Sequence, residues 1–188
     1  MLSVGSTKTI IIGIGNILFY DDGLGVIAAK YLEKNYSYIT DDSSSFASSS
    51  FEILDGGTLG FTLLEYFTHY DNVFILDTLS SNEEIGSIYK IPAHALLGGN
   101  SYKNSAHEVE VLQMLEACEL YEKKAEINIF AMIPKDIHRV EIGLSEVVKD
   151  NFISFIETIV KSLKFFNIKV SQNKKLISVE AIIKELQC

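Results

Sequence analysis

Three residues able to bind a divalent cation, Asp22, Asp77 and His107, are widely separated in this 188-residue chain. The two acids follow predicted strands, and His107 lies at the predicted start of a helix. Hard carboxylate oxygens with one neutral imidazole suit a borderline ion such as Ni²⁺ or Zn²⁺. In the first turn of a helix, the dipole disfavours the imidazolium and leaves the ring able to ligate. These residue types predict a metal site if the fold brings them together.

Each of these residues also has a simpler structural interpretation. Asp22 can cap the first predicted helix, Asp77 can accept hydrogen bonds from the loop that follows it, and His107 can be a solvated helix-start residue. Asp55 is a weaker candidate, because loop geometry explains an Asp-Gly-Gly turn. Spacing alone leaves these alternatives open. The other histidines are expected at the surface: His69, His94 and His138.

Other catalytic signatures are incomplete in this chain. Gly13 and Gly15 follow a predicted strand, but the third glycine of a dinucleotide fingerprint would fall at Leu18. Neither a phosphate-binding loop of the G-x-x-x-x-G-K type nor a G-x-S-x-G nucleophile elbow is present. Cys118 falls on the apolar stripe of a predicted helix and is expected in the core. A nucleotide site and a serine or cysteine nucleophile are therefore disfavoured.

Charge and cysteine content narrow the class of protein further. With a formal net charge of −9, the chain lacks the basic surface that binding to nucleic acids or anionic membranes requires. Cys118 and Cys188 are the only cysteines, so a disulfide framework is not expected and the cytoplasm is the predicted location. The apolar run at residues 9–14 is too short to span a bilayer and lacks the flanks of a signal peptide. We interpret it as a buried strand.

The alternation of short apolar runs with amphipathic stretches predicts an α/β fold. Continuous β-branched or aromatic runs are typical of strands covered on both faces of a parallel sheet. Between these runs, apolar residues recur at helical spacing. The predicted architecture is a three-layer α/β sandwich, with a mostly parallel twisted sheet of about five strands and helices on both faces. The predicted strands cover residues 10–14, 51–54, 73–76, 88–91 (at an edge) and 127–132.

Local signals indicate where two of the helices begin. Thr58 is placed to cap the helix after the second strand. The S-x-x-E sequence of residues 105–108 is a capping box that opens the helix carrying His107. The inner face of the helix after Thr58 is expected to carry Leu59, Leu63 and Phe67.

Two stretches stand outside the regular alternation. Residues 37–50 are rich in serine and are predicted to form a mobile surface loop. The predicted division is a main domain at 1–166 and a C-terminal tail at 167–188, with one more helix in the tail. The apolar stripe of that helix is expected to be Val179, Ile182, Ile183 and Leu186.

An ordered set of motifs resembles that of the hydrogenase maturation endopeptidases. The similarity covers roughly residues 8–164 without a break in order. One motif alone would be weak evidence, but the ordered set is specific. The matching segments are Gly-Ile-Gly-Asn-Ile-Leu at 13–18, Asp-Asp-Gly-Leu-Gly-Val at 21–26, Leu-Asp-Gly-Gly-Thr at 54–58, Asp77, His107 and Ile-Gly-Leu-Ser at 142–145.

This resemblance implies a metal-dependent, nickel-recognising endopeptidase of the aspartic type. Its expected reaction removes a C-terminal extension from the large-subunit precursor of a nickel-iron hydrogenase after nickel insertion. The catalytic and metal-contacting positions of the family correspond to Asp22, Asp77 and His107. Ni²⁺ is expected to arrive with the precursor, and other divalent ions are expected to substitute in the free enzyme. The precursor is the expected partner, with neither nucleic acid nor a membrane.

Two other functions are compatible with the same residues. A non-cleaving, nickel-dependent chaperone or docking module would bind the same precursor, and a mass measurement separates it from a protease. A nucleotide-dependent enzyme on a similar sheet is the third hypothesis. A comparison of the binding of NAD or ATP with the binding of a divalent cation distinguishes this hypothesis from the other two.

Overall fold

The computed structural model describes residues 7–40, 49–96, 113–118 and 125–188. Most strands in this part of the chain coincide with the apolar runs of the sequence. They are β1 (Lys8–Ile14), β2 (Tyr36–Thr40), β3 (Ser50–Gly57), β4 (Asn72–Thr78), β5 (Ile88–Pro92), β6 (Glu126–Met132) and β7 (Ile168–Gln172).

The helices lie mostly between strands, as the alternating pattern predicts. Short 3₁₀ helices precede two of them, at Tyr20–Gly23 and Gly60–Leu63. The α-helices are α1 (Leu24–Asn35), α2 (Leu64–His69), α3 (Ala93–Leu96), α4 (residues 113–118), α5 (Glu146–Leu163) and α6 (Val179–Leu186). No helix in the described ranges is long and apolar enough to cross a bilayer.

Five strands form the central sheet in the order β3-β1-β4-β6-β5. Every neighbouring pair is parallel except β5 with β6. β5 lies at an edge, where a strand ending in Pro92 loses no ladder bond on its open side. The mostly parallel sheet of about five strands and the edge position of residues 88–91 are confirmed.

Helices cover both faces of this sheet, and each face has its own core. Ile11 and alternate residues of β4 and β6 pack with α1, α5 and α6 on one face. Ile10 and Ile12 pack with α2 and α4 on the other face. Because successive side chains of a strand point to opposite faces, burial of both faces requires continuously apolar strands. The three-layer sandwich is confirmed.

The predicted surface loop at 37–50 is wrong at both ends. Residues 37–40 lie in β2, and Ser50 begins β3, while residues 41–48 lie outside the described residues. β2 pairs antiparallel with β7 in a separate two-stranded sheet. The alternation of Tyr36, Tyr38 and Thr40 with exposed residues was a strand signal that the serine content obscured.

The predicted cap at Thr58 is also wrong. α2 begins only at Leu64, after the 3₁₀ helix, and no side chain caps it. Gly57 and Gly60 adopt positive φ angles of 47° and 50°, so the chain turns before a helix can start. Leu59 is 52% exposed, whereas Leu63 and Phe67 are buried as predicted.

The tail folds back onto the end of α1. The side chain of Asn35 accepts from the Ile177 backbone N–H at 2.6 Å and donates to its carbonyl at 3.0 Å. Lys34 Nζ donates to Glu185 of α6 at 2.6 Å. The predicted helix is confirmed as α6, and three residues of its stripe are buried: Val179, Ile182 and Ile183.

Candidate functional site

Asp22 and Asp77 lie at the same edge of the central sheet. Asp77 is the penultimate residue of β4, and Asp22 belongs to the 3₁₀ helix that follows β1. β1 and β4 are parallel neighbours, and that 3₁₀ helix contacts β4. The fold thus brings the segments that carry these two acids, far apart in sequence, to one edge of the sheet.

This edge contains a topological switch point. After β1 the chain runs through α1 towards β3, whereas after β4 it proceeds to β5 and β6 on the opposite side. The loops therefore diverge between the carboxyl ends of β1 and β4. Ligands of open α/β sheets bind in such crevices. Asp22 and Asp77 both lie where a crevice of this kind opens.

The Asp22 carboxylate is buried and oriented by the loop that precedes it. Its Oδ2 accepts a hydrogen bond from the Asn16 backbone N–H at 2.9 Å. α1 has no side-chain cap, and Gly23 is its N-cap residue. The simple interpretation of Asp22 as a helix cap is therefore wrong, because its hydrogen bond holds the loop after β1 instead.

The Asp77 carboxylate is also buried at the end of its strand. Its Oδ1 accepts a hydrogen bond from the Thr78 backbone N–H at 2.7 Å. This contact matches the simpler interpretation, in which Asp77 binds a backbone amide of the following segment. The bond fixes the rotamer of the carboxylate, and ligation by a second carboxylate oxygen is compatible with it.

His107 and the capping box at 105–108 lie outside the described residues. Within the described ranges, no three His, Cys, Asp or Glu side chains form a group that could hold a metal ion. The two acids can supply part of a coordination sphere for a hard or borderline cation. The three-ligand site thus stays a prediction.

Glycines explain how α1 comes so close to the sheet edge. A β-carbon on Gly25 would collide with the carbonyl oxygens of Leu76 and Ile14, so the first turn of α1 rests directly on the ends of β4 and β1. Gly15 has a φ of +129° and lies against the Asp22 carbonyl. The spacing that resembles a dinucleotide fingerprint therefore serves close backbone packing around Asp22.

Asp21 is a site residue whose role the sequence did not reveal. It is fully buried, and its Oδ1 accepts from the Ser145 N–H at 2.6 Å. Its Oδ2 accepts from the N–H groups of Lys135 and Asp136 at 2.9 and 3.0 Å. One carboxylate thereby ties the loop after β6 and the start of α5 to the segment that carries Asp22. No sequence signal separates Asp21 from its neighbour, because both are acids after the same strand.

Tyr20 bears backbone strain beside these acids. Its φ of 51° is unusual for a residue with a β-carbon. The Arg139 guanidinium lies 4.7 Å from the centre of the Tyr20 ring. The Tyr20 backbone N–H donates to the Glu141 carbonyl at 2.9 Å. Such strain persists only where surrounding contacts hold it, which is common near functional sites.

The remaining sequence candidates have structural explanations. Asp55 forms an ion pair with Lys30 at 3.2 Å. His69, His94 and His138 are exposed, as expected. Cys118 is buried in the core of its sheet face, which confirms its predicted position.

Similarity to known proteins is extensive. The family model described as "Hydrogenase maturation protease" matches residues 27–162. The hydrogenase expression/formation protein HupD of Rhizobium leguminosarum bv. viciae is 24% identical over 178 residues, covering 94% of this chain and 84% of HupD. The hydrogenase 2 maturation protease of Escherichia coli K12 is 25% identical over 159 residues, covering 84% and 91% of the two chains.

Solved structures share the fold. The hydrogenase-maturating endopeptidase HybD from E. coli superposes with a TM-score of 0.75 at 24% identity, covering 89% of this chain and 98% of HybD. The nickel-iron hydrogenase maturation protease HybD from Thermococcus kodakarensis has a TM-score of 0.62 at 23% identity, covering 83% and 99%. At these identities the superpositions establish the architecture.

Proposed function

Because the chain belongs to the hydrogenase maturation protease family, we propose that it removes a C-terminal extension from the nickel-loaded large-subunit precursor of a nickel-iron hydrogenase. The observation that carries this proposal is the convergence of Asp22 and Asp77, both buried, at the switch point of the sheet. Carboxylate oxygens at such an edge are suitable ligands for a divalent cation that the substrate presents.

In the proposed mechanism, the enzyme recognises a metal ion that its substrate brings. Asp22, Asp77 and His107 complete the coordination of the nickel in the precursor and so position the peptide bond to be cut. A divalent ion held by these residues would polarise the carbonyl or lower the pKa of a nearby water. Water is then added across the peptide bond, which yields a new carboxylate on the large subunit and a free amine on the released extension.

The residues of the chain contribute mainly geometry in this mechanism. The backbone bonds from Asn16 and Thr78 hold the two carboxylates in fixed orientations. Holding reactants in a productive arrangement is worth several orders of magnitude in rate. An enzyme of this design requires no serine or cysteine nucleophile, in agreement with the absence of such motifs from the sequence. It also withholds cleavage until nickel is present.

The decisive experiment incubates the protein with nickel-loaded and nickel-free precursor and follows the mass of the large subunit. We expect shortening only with the loaded form. Asp22→Asn and Asp77→Asn should each slow cleavage by at least about a hundredfold, since the amide removes a negative charge from the cation's surroundings. His107→Ala should have a similar effect.

Asp55→Asn is the matched control, because it makes the same change at the end of the neighbouring strand β3. It should cleave at close to the wild-type rate. A large subunit that binds the protein but keeps its full mass would support the docking module instead. Equal cleavage of loaded and nickel-free precursor would refute metal recognition.

A further inference from the structure

A cleft of about 310 Å³ opens at the same sheet edge. One wall is Ser80 and Ser81, which follow β4 three and four residues after Asp77. The other wall is the loop after β6, at residues 133–138. Clefts of this volume are at the lower end of those that hold ligands. Its walls follow the carboxyl ends of β4 and β6, and neither Asp22 nor Asp77 lines it.

The loop wall of the cleft is built before any ligand arrives. Asp21 accepts the N–H groups of Lys135 and Asp136, and Asp136 Oδ1 accepts those of His138 and Arg139 at 2.9 and 3.1 Å. The Ile133 N–H donates to the Ser87 carbonyl at 3.0 Å. Because four backbone amides of the wall are already hydrogen-bonded, the wall loses little freedom when a ligand binds. Through Asp21 it is also connected to the segment of Asp22.

Within the part of the chain that the structure describes, Lys135 on this wall has no ion-pair partner. Asp136 is an anion, and the backbone amides of His138 and Arg139 lower its pKa. Arg139 is paired with Glu141. Lys135 is exposed and forms no ion pair with any described residue. In a chain of net charge −9, an exposed lysine with no ion-pair partner among the described residues favours a negatively charged group in the ligand.

We infer that this cleft binds an extended segment of the precursor beside the cleaved bond and that Lys135 binds a carboxylate of that segment. Pro134 and Ile137 offer apolar surface to such a chain. The Ser81 hydroxyl, which accepts from the Glu83 N–H, can donate to its main chain. This inference rests on the proposed function, because the precursor is the ligand. It adds a substrate-binding surface and a specificity-determining residue distinct from the acids of the site.

The test reverses the charge of Lys135. Lys135→Glu should raise KM for nickel-loaded precursor about tenfold, with kcat within about twofold of wild type, because Lys135 lies away from the reacting bond. Lys174→Glu is the matched control: an exposed lysine in the turn before α6, near the C-terminal end of α1 and hence far from the cleft. It should leave both constants unchanged. Urea unfolding midpoints close to that of the wild type should show that both variants fold.

A binding measurement without cleavage keeps the two proposals separate. The probe is a fluorescent synthetic peptide that spans the cleavage site and the extension. Two modified peptides are compared with it: one has an amidated C-terminus, and in the other the acidic side chains are replaced by amides. Lys135→Glu should weaken binding of the unmodified peptide about tenfold. If the amidated peptide binds wild type and Lys135→Glu equally well, the carboxylate is the C-terminal one. If the peptide with amides in place of its acids does so, the carboxylate belongs to a side chain.

The outcomes distinguish the two failures. Wild-type cleavage with equal KM values for Lys135→Glu and Lys174→Glu overturns this inference and leaves the protease assignment standing. Peptide binding through Lys135 without any cleavage supports the cleft and contradicts the protease. If both modified peptides still distinguish Lys135→Glu from wild type, the proposed carboxylate contact is refuted.

Discussion

Adjacent acids perform different tasks at the edge of the sheet. Asp21 directs its carboxylate to three backbone amides of distant segments, whereas Asp22 accepts from the loop just before it. The Ser145 amide bound by Asp21 lies at the start of α5, where the helix dipole favours a negative charge. Asp21 thus acts as a positioning residue that joins the cleft wall to the segment of Asp22.

Asp21→Asn should lower the free energy of unfolding by about 3 kcal/mol. An amide keeps only one acceptor oxygen, so at least one buried N–H loses its partner, and hydrogen bonds to charged groups are the stronger ones. Urea denaturation measures the change. Asp136→Asn is the control, since asparagine can cap the same exposed turn. A similar loss of unfolding free energy in both variants would contradict the positioning role that we assign to Asp21.

The first turn of α1 depends on direct backbone contact with two strands. Gly25 packs on the Ile14 carbonyl at the end of β1 and on the Leu76 carbonyl near the end of β4. Gly13 in turn lies against the Gly25 carbonyl. This contact sets the height of α1, and hence of the preceding 3₁₀ helix with Asp22, above the sheet. The glycine spacing of the opening motif is explained by this geometry.

Gly25→Ala tests that contact, because two effects oppose each other. Helix propensity alone would stabilise the variant by about 1 kcal/mol. The new β-carbon would overlap backbone atoms that cannot rotate away, so we expect a net loss of about 3 kcal/mol. Gly143→Ala is the comparison, where the nearest atom is Cε2 of the Tyr20 ring at 3.1 Å. Increased stability of Gly25→Ala in urea would refute the close approach.

The C-terminal tail shares the main core on one side of the sheet. Ile168, Ile182 and Ile183 belong to the same cluster as α1 and α5, and Asn35 holds the Ile177 backbone. The division into 1–166 and 167–188 stays a prediction about organisation. In packing terms, the tail covers one face of the molecule and should unfold together with it.

Ile182→Ala should therefore destabilise the whole protein. Ile182 is 1% exposed, and truncation of a buried isoleucine costs about 3 kcal/mol through lost burial and an unfilled cavity. Leu176→Ala, at 45% exposure, should change stability by less than about 0.5 kcal/mol. Circular dichroism during urea unfolding should show one transition in both variants. A separate early transition in Ile182→Ala would mean that the tail folds independently.

Sequence patterns were sufficient for the parts of this protein that depend on local order. Continuous apolar runs predicted the five strands of the central sheet, and the helical spacing of apolar residues in the tail predicted α6. Asp22 and Asp77 became candidates because each follows a predicted strand. The ordered motifs also indicated the family. The strand and helix signals depend on neighbours within a few residues, and the order of the motifs is likewise visible in the sequence of a single chain.

Non-local pairing had to be seen in three dimensions. The partner of β2 is β7, more than a hundred residues later, and the hydrogen bonds of a two-stranded sheet leave little trace in either strand. Three further features likewise arise between segments that are distant along the chain. They are the different hydrogen-bond partners of Asp21 and Asp22, the close contact that requires glycine at position 25, and the cleft lined by Lys135. Packing brings those segments together, and the energy of a contact depends on both partners, of which the local sequence shows only one.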